Sequence, residues 1–290
     1  MNFVILSLVL LLTVITLLLM FFQMLKEKPI CIRFAVKLKL IICGFVAFIS
    51  DALGIGSFAV EVALCKFWKL ADDKDLPGIL NGAQILPGTI EAIFFLKLVS
   101  VDVKTLSILV GGACIGGVLG GLFVSKLKQQ TIRITMFFAF IGIAALILVN
   151  QFHLLPVGGT ETLLISWKLW VGFFAMIICG ALPAVGVGSF ALIQSALFLL
   201  GLSPLVAFPI MTTAGALQQP LTAMTFLFEK KMLLKKTFII TIAGALAALI
   251  TVPLVSHVPL VYLRWLLLCI VTYNAVSMLK SYLKEKAGGC

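Results

Sequence analysis

The hexapeptide Gly54-Ile55-Gly56-Ser57-Phe58-Ala59 recurs as Gly186-Val187-Gly188-Ser189-Phe190-Ala191, an offset of 132 residues. In each copy the glycines permit a sharp backbone turn, and a serine stands where a following helix would begin and can cap it. The amino end of a helix carries unpaired N–H groups and about half a positive charge. Two such ends facing each other offer about one unit, matched to a small anion without any Lys or Arg. One such motif alone would more simply be a kink or a close helix contact; its duplication favours a paired binding site. The candidate substrate-binding residues are therefore Gly54, Gly56, Ser57, Phe58, Gly186, Gly188, Ser189 and Phe190. Gln194, Thr212 and Thr213, with Gln218 and Gln219, are polar residues that could complete the site from the second half, or could hold helices together.

Three acids fall inside apolar runs: Asp51, three residues before the first hexapeptide's Gly54, Glu61, one turn after Ser57, and Glu91, with Asn81 and Gln84 on roughly the same helical face. An ionisable group at membrane depth is costly and is a functional hypothesis by default. The counterparts at the 132-residue offset are Pro183, Ile193 and Ala223, so the acids belong to the first half alone. A carboxylate one turn from a bound anion would repel it unless it carried a proton, which makes Asp51, Glu61 and Glu91 candidates for coupling anion and proton movement. The plainer alternative is that they are buried hydrogen-bonding groups, or that Asp51 sits near an interface.

The elements that must position these residues are membrane helices. Of 290 residues, 62% are hydrophobic and 11% charged, with a mean hydropathy of +1.23; a water-soluble enzyme is excluded. Nine apolar segments run at about 3–25, 40–69, 76–98, 104–125, 131–150, 163–201, 204–228, 236–256 and 260–283. Most have spanning length, about 20 residues. Segments 40–69 and 163–201 are too long for one crossing, and both contain the hexapeptide. If every segment crosses, Lys and Arg divide 15 inside to 7 outside; if the two overlong segments are re-entrant hairpins, they divide 18 to 4. The positive-inside rule prefers the hairpins.

Each half then crosses an odd number of times, which inverts one against the other, as in transporters with broken helices at the midplane. The expected fold is an all-α polytopic membrane protein of two inverted repeats, about 7 full crossings plus 2 hairpins. Residues 1–36 form a first helix and basic loop, 37–150 repeat 1, 151–162 a linker, and 163–290 repeat 2 with a short tail. The first segment precedes its basic residues Lys26 and Lys28, the wrong polarity for a cleaved signal peptide, so its N-terminus is expected outside and the C-terminus in the cytoplasm.

The formal charge of +11 lies in short gaps between apolar runs, which suits anionic lipids rather than nucleic acid. Seven scattered cysteines and two histidines suggest neither a disulfide framework nor a zinc site, and no cofactor is expected. His153 and His257 fall in expected external loops. Pro87, Pro209 and Pro220 should break or kink segments three and seven. The run Gly111, Gly112, Gly116, Gly117, Gly120 and Gly121 should make a close-packing face.

From about residue 37 onward the chain resembles the sulfite exporter TauE/SafE family. The likeness rests on a glycine-rich motif in each half, at Gly54, Gly56, Ser57 and Phe58 and at Gly186, Gly188, Ser189 and Phe190, and on the small-residue and threonine stretch Ala207 to Gly215. Ser and Phe stand here where the family has later glycines. The resemblance implies a transporter of small sulfur-containing anions (sulfite, thiosulfate or organosulfonate) in the bacterial inner membrane. Its partners would be the anion, protons and the bilayer, with the oligomeric state open. A non-transporting scaffold or assembly factor, or a membrane-embedded enzyme, are the alternatives; no nucleophile paired with a base favours the latter.

Overall fold

In the computed structural model, residues 2–27, 31–54, 56–99, 101–152, 154, 158–257 and 260–287 are described. They form helices α1 (Asn2–Lys26), α2 (Phe34–Ala52), α3 (Ser57–Phe67), α4 (Leu76–Ala83), α5 (Ile85–Leu98) and α6 (Val103–Val124). There follow α7 (Gln129–Gln151), α8 (Ser166–Val185), α9 (Phe190–Leu199), α10 (Pro204–Phe228), α11 (Leu234–Thr251), a 3-10 turn (Val252–His257) and α12 (Leu260–Ala287). Among the described residues there is no strand, only an isolated bridge between Glu161 and Leu202. Seven stretches are long and apolar enough to cross a membrane. The chain is an all-α, multi-pass membrane protein.

Both overlong segments are broken at the hexapeptide, and each turns back on itself. Gly44 packs on Ile240 and Ala243, and Phe48 on Gly244, so α2 and α11 run parallel. α3 returns: Lys236, at the start of α11, donates to the Leu70 carbonyl just past α3. Its course beside α12 is set by Asn274 donating to the Ala59 carbonyl and by Lys66 donating to Ser281. α2 therefore enters, and α3 leaves, at one end of the bundle.

The second pair repeats this from the other end. Gly112, Gly116 and Gly120 of α6 meet the carbonyls of Phe173, Ile177 and Ala181 in rising order, so α6 and α8 run parallel. α9 comes back beside the start of α8, where the Glu161 N–H donates to the Gly201 carbonyl at 3.0 Å. Arg133, near the start of α7, bonds Asp73 just beyond α3, so α6 finishes where α2 and α11 begin. The hairpins thus enter from opposite ends. Adding 132 to the bounds of α2 and α3 gives 166–184 and 189–199, against Ser166–Val185 and Phe190–Leu199 observed.

Of the described Lys and Arg, only Lys97, Lys104, Lys168 and Arg264 lie toward the end where α8 enters; the rest lie at the other, which we call the basic end. There a buried Asp73 is gripped by Lys66 at 2.6 Å and Arg133 at 2.5 Å, and Arg133 also reaches Glu285. This cluster ties α3, α7 and α12 together.

Local chemistry explains the helix boundaries. Asp102 caps α6, accepting from the Thr105 N–H and hydroxyl, both at 2.8 Å; these bonds hold its carboxyl below the usual aspartate range. A proline clashes with the carbonyl four residues back, and Pro87 has its break at Gln84, where α4 gives way to α5. Of the break or kink expected at Pro209 and Pro220, a break does not occur: α10 is helical throughout. The glycine run of α6 packs two ways, Gly112, Gly116 and Gly120 on α8, and Gly117 and Gly121 on Gln218 and Thr225 of α10, while Gly111 meets nothing within 4 Å. Burial of α10 against its neighbours is what admits its polar residues; its 25 residues run from one end to the other, although α8, which turns back, is the one apolar enough to count among the seven.

Candidate functional site

The two hairpin tips meet midway through the bundle. A Cβ on Gly188 would stand 3.5 Å from the Phe58 side chain. The tips share a cavity of about 130 Å³ whose walls include Phe140 and Ile143 of α7, Phe208 and Met211 of α10, and Leu267 and Val271 of α12. Phe140 lies at the middle of α7, Gln129–Gln151, which fixes the depth of the site. Of the sequence-predicted residues, Gly54, Gly56, Ser57, Phe58, Gly188, Ser189, Phe190, Gln194 and Asp51 line this cavity.

At the first tip, α2 ends at Ala52 and the chain reverses through Gly54 and Gly56, at φ 81° and 90°. Only glycine takes such φ values without strain. The reversal folds Asp51 over the amino end of α3. Its Oδ1 accepts the Ser57 N–H at 2.9 Å, and its Oδ2 accepts from the Ser57 hydroxyl at 2.9 Å and from Gln84 Nε2 at 2.7 Å. The Ser57 hydroxyl also stands 2.7 Å from Gln84 Oε1 and has one proton to give between the two acceptors. Ser57 is thus not the cap expected from the sequence, because it is already the first helical residue; Gly56 holds the cap position, and the Asp51 carboxylate covers the helix end by accepting the Ser57 N–H.

At the second tip, Gly186 closes α8 in the left-handed region, φ 89°, with its N–H donating to the Pro183 carbonyl at 2.9 Å. That carbonyl also accepts from Asn81 Nδ2 at 2.7 Å. Ser189 precedes α9 with φ −95° and ψ −4°, a helical geometry in which its hydroxyl makes no capping bond; a capping serine needs an extended backbone. It too fails the capping expectation. Pro183 occupies the position equivalent to Asp51, so no carboxylate covers the amino end of α9, and Ser189, Phe190, Ala191 and Gln194 open on the cavity. Across it, Gln219 is 4% exposed and its Oε1 has no hydrogen-bond partner.

The other predicted residues do not line the cavity. Gly186 packs behind it, against Met136 and Leu80. Thr212 donates to its own helix, at the carbonyls of Phe208 and Pro209, and Thr213 is buried without a partner. Glu61 is wholly buried with neither carboxyl oxygen bonded, and Glu91 is 4% exposed with Oε1 unbonded. Each lies within electrostatic range of Asp51.

Gln219, offered by the sequence as a residue that could complete the site, lines the cavity, whereas Gln84, noted only for sharing a helical face with Glu91 and Asn81, is the lining residue whose weight the sequence did not reveal. Nothing in sequence spacing pairs Gln84 with Asp51, 33 residues away. His153 lies outside the described residues, as does the side chain of His257. Among the described residues no three His, Cys, Asp or Glu side chains converge to hold a metal ion.

The fold and the site define a polytopic helical membrane protein with a mid-depth cavity closed by two opposed hairpin tips. Comparison with protein-family models, with curated proteins and with solved structures gives no match in any of the three.

Proposed function

We propose that the protein is a membrane transporter of small acids, with the basic end in the cytoplasm, the N-terminus outside and substrate bound at the open amino end of α9. The carrying observation is that hairpins entering from opposite ends meet at one cavity near mid-depth. Irregular backbone at membrane depth is tolerated where it lines such a cavity, and opposed broken helices are the plan by which rocking of one half against the other exposes a fixed site alternately.

The acidic group of the substrate would bond the free N–H groups of Ser189, Phe190 and Ala191, the Ser189 hydroxyl and Gln194. Glu61 and Glu91, buried beside the cavity with unbonded oxygens, would carry the protons. Asp51, bonded to the Ser57 N–H and hydroxyl and to Gln84, serves the tip instead. A sulfur oxyanion or sulfonate as the cargo, and the bacterial inner membrane as the location, follow from the family resemblance alone.

Uptake of radiolabelled sulfite, thiosulfate and a simple sulfonate into proteoliposomes under an imposed pH gradient is the test. Accumulation of at least one that requires the gradient, and loses that dependence in Glu61→Gln or Glu91→Gln, is expected. No uptake of any small acid in either direction would refute transport.

A further inference from the structure

The hexapeptides are matched, but the charges at their tips are not. A helix amino end carries about half a positive charge. At the first tip the Asp51 carboxylate, held at the end of α3, outweighs that and leaves about half a unit negative. At the second tip the end of α9 has no carboxylate and stays about half a unit positive. Among the described residues no Lys, Arg or His side chain lines the cavity. A simple anion between the tips would meet attraction on one side and repulsion on the other.

Two residues of the cavity wall, Asp51 and Gln219, also carry an acceptor that wants a donor. Asp51 Oδ1 accepts only the Ser57 N–H, and a carboxylate oxygen has room for a second bond. Gln219 Oε1, on a side chain more than nine-tenths buried, accepts nothing, and a buried acceptor left bare is costly. We infer that the cavity takes a zwitterion: a small acid that also bears an ammonium group, its acidic end at α9 and its ammonium shared by Asp51 and Gln219. The inference rests on the transport function proposed above and narrows its substrate class.

The test is calorimetric binding to the purified full-length protein of two ligand pairs, 2-aminoethanesulfonate against 2-hydroxyethanesulfonate and 3-aminopropanoate against 3-hydroxypropanoate. Within each pair only the ammonium is exchanged for a hydroxyl. The amino member of at least one pair should bind tenfold or more tightly than its partner. Asp51→Asn should reduce that preference to about twofold, and Gln219→Leu, which leaves the α3 cap intact, should reduce it several-fold if the first variant does not fold. Hydroxy members binding as well as amino members in both pairs, or an amino preference unmoved by the variants, overturns the zwitterion and leaves an anion transporter standing. Silence from all four acids and from sulfite and thiosulfate overturns both.

Discussion

The tips of the α2–α3 and α8–α9 hairpins share a hexapeptide and differ in almost everything that decides chemistry. The first is a closed hydrogen-bonded unit of Asp51, Ser57 and Gln84; the second leaves the end of α9 uncovered, with Pro183 where Asp51 would be. Backbone geometry diverges as well, since Gly56 sits at φ 90° while its counterpart Gly188 is not among the residues with positive φ. Duplication supplied two similar turns, and residues outside the motif gave them opposite signs.

The comparison can be broken most forcefully by making the second tip resemble the first. Pro183→Asp should place a carboxylate over α9 and weaken binding of any small acid by a hundredfold or more, measured by calorimetry; unchanged affinity would remove the end of α9 from the site. In the opposite direction, Asp51→Ala takes away the acceptor of the Ser57 N–H and of Gln84 Nε2 and leaves those two donors bare, while the Ser57 hydroxyl keeps Gln84 Oε1. A lost cap costs about 1 kcal/mol and a bare buried polar group about 1–3, so a loss of roughly 2–4 kcal/mol in unfolding free energy is expected, together with a gain in affinity for simple anions such as sulfate.

A glycine pair sharpens the contrast at smaller scale. Gly56→Ala should cost about 1–2 kcal/mol, because φ 90° strains any side chain although nothing lies within 4 Å of the new Cβ. Gly188→Ala should cost about nothing, since its Cβ would make an ordinary 3.5 Å contact with Phe58. Equal costs at the two positions would mean that the tips are more alike than their geometry indicates.

The smallest effect concerns Asp102, whose cap on α6 has no aspartate counterpart at residue 234, a leucine. Asp102→Ala should cost about 1 kcal/mol at neutral pH. Because the folded carboxyl titrates below the usual range, its contribution is complete above the ordinary aspartate value and is lost as pH falls through the folded one. The difference between wild type and variant in thermal unfolding should therefore shrink only in strong acid.

Much of the architecture was legible because the membrane makes it so. The length of segments 40–69 and 163–201, the offset of 132 and the distribution of Lys and Arg all pointed to hairpins, and in both segments the helix breaks at the hexapeptide and the chain turns back. The site was less legible. Asp51 was visible as an intramembrane acid, but its capping role depends on a chain reversal and on Gln84, which Pro87 places at a helix break. The walls at Phe140 and Leu267 carry no signal that separates them from any other apolar position. Thr212 and Thr213 had the right composition for a site but are not among the residues that line it, and Thr212 is bonded to its own helix.

The claim on which the rest depends is that the hairpins enter from opposite faces. Single cysteines at positions 37, 69, 162 and 203 of a cysteine-free protein, labelled with an impermeant maleimide in oriented vesicles, would test it most directly. Positions 37 and 69 should react together from one face, and 162 and 203 together from the other. Positions 37 and 69 reacting from opposite faces would contradict the hairpin, and with it the cavity between the two tips as a transport site.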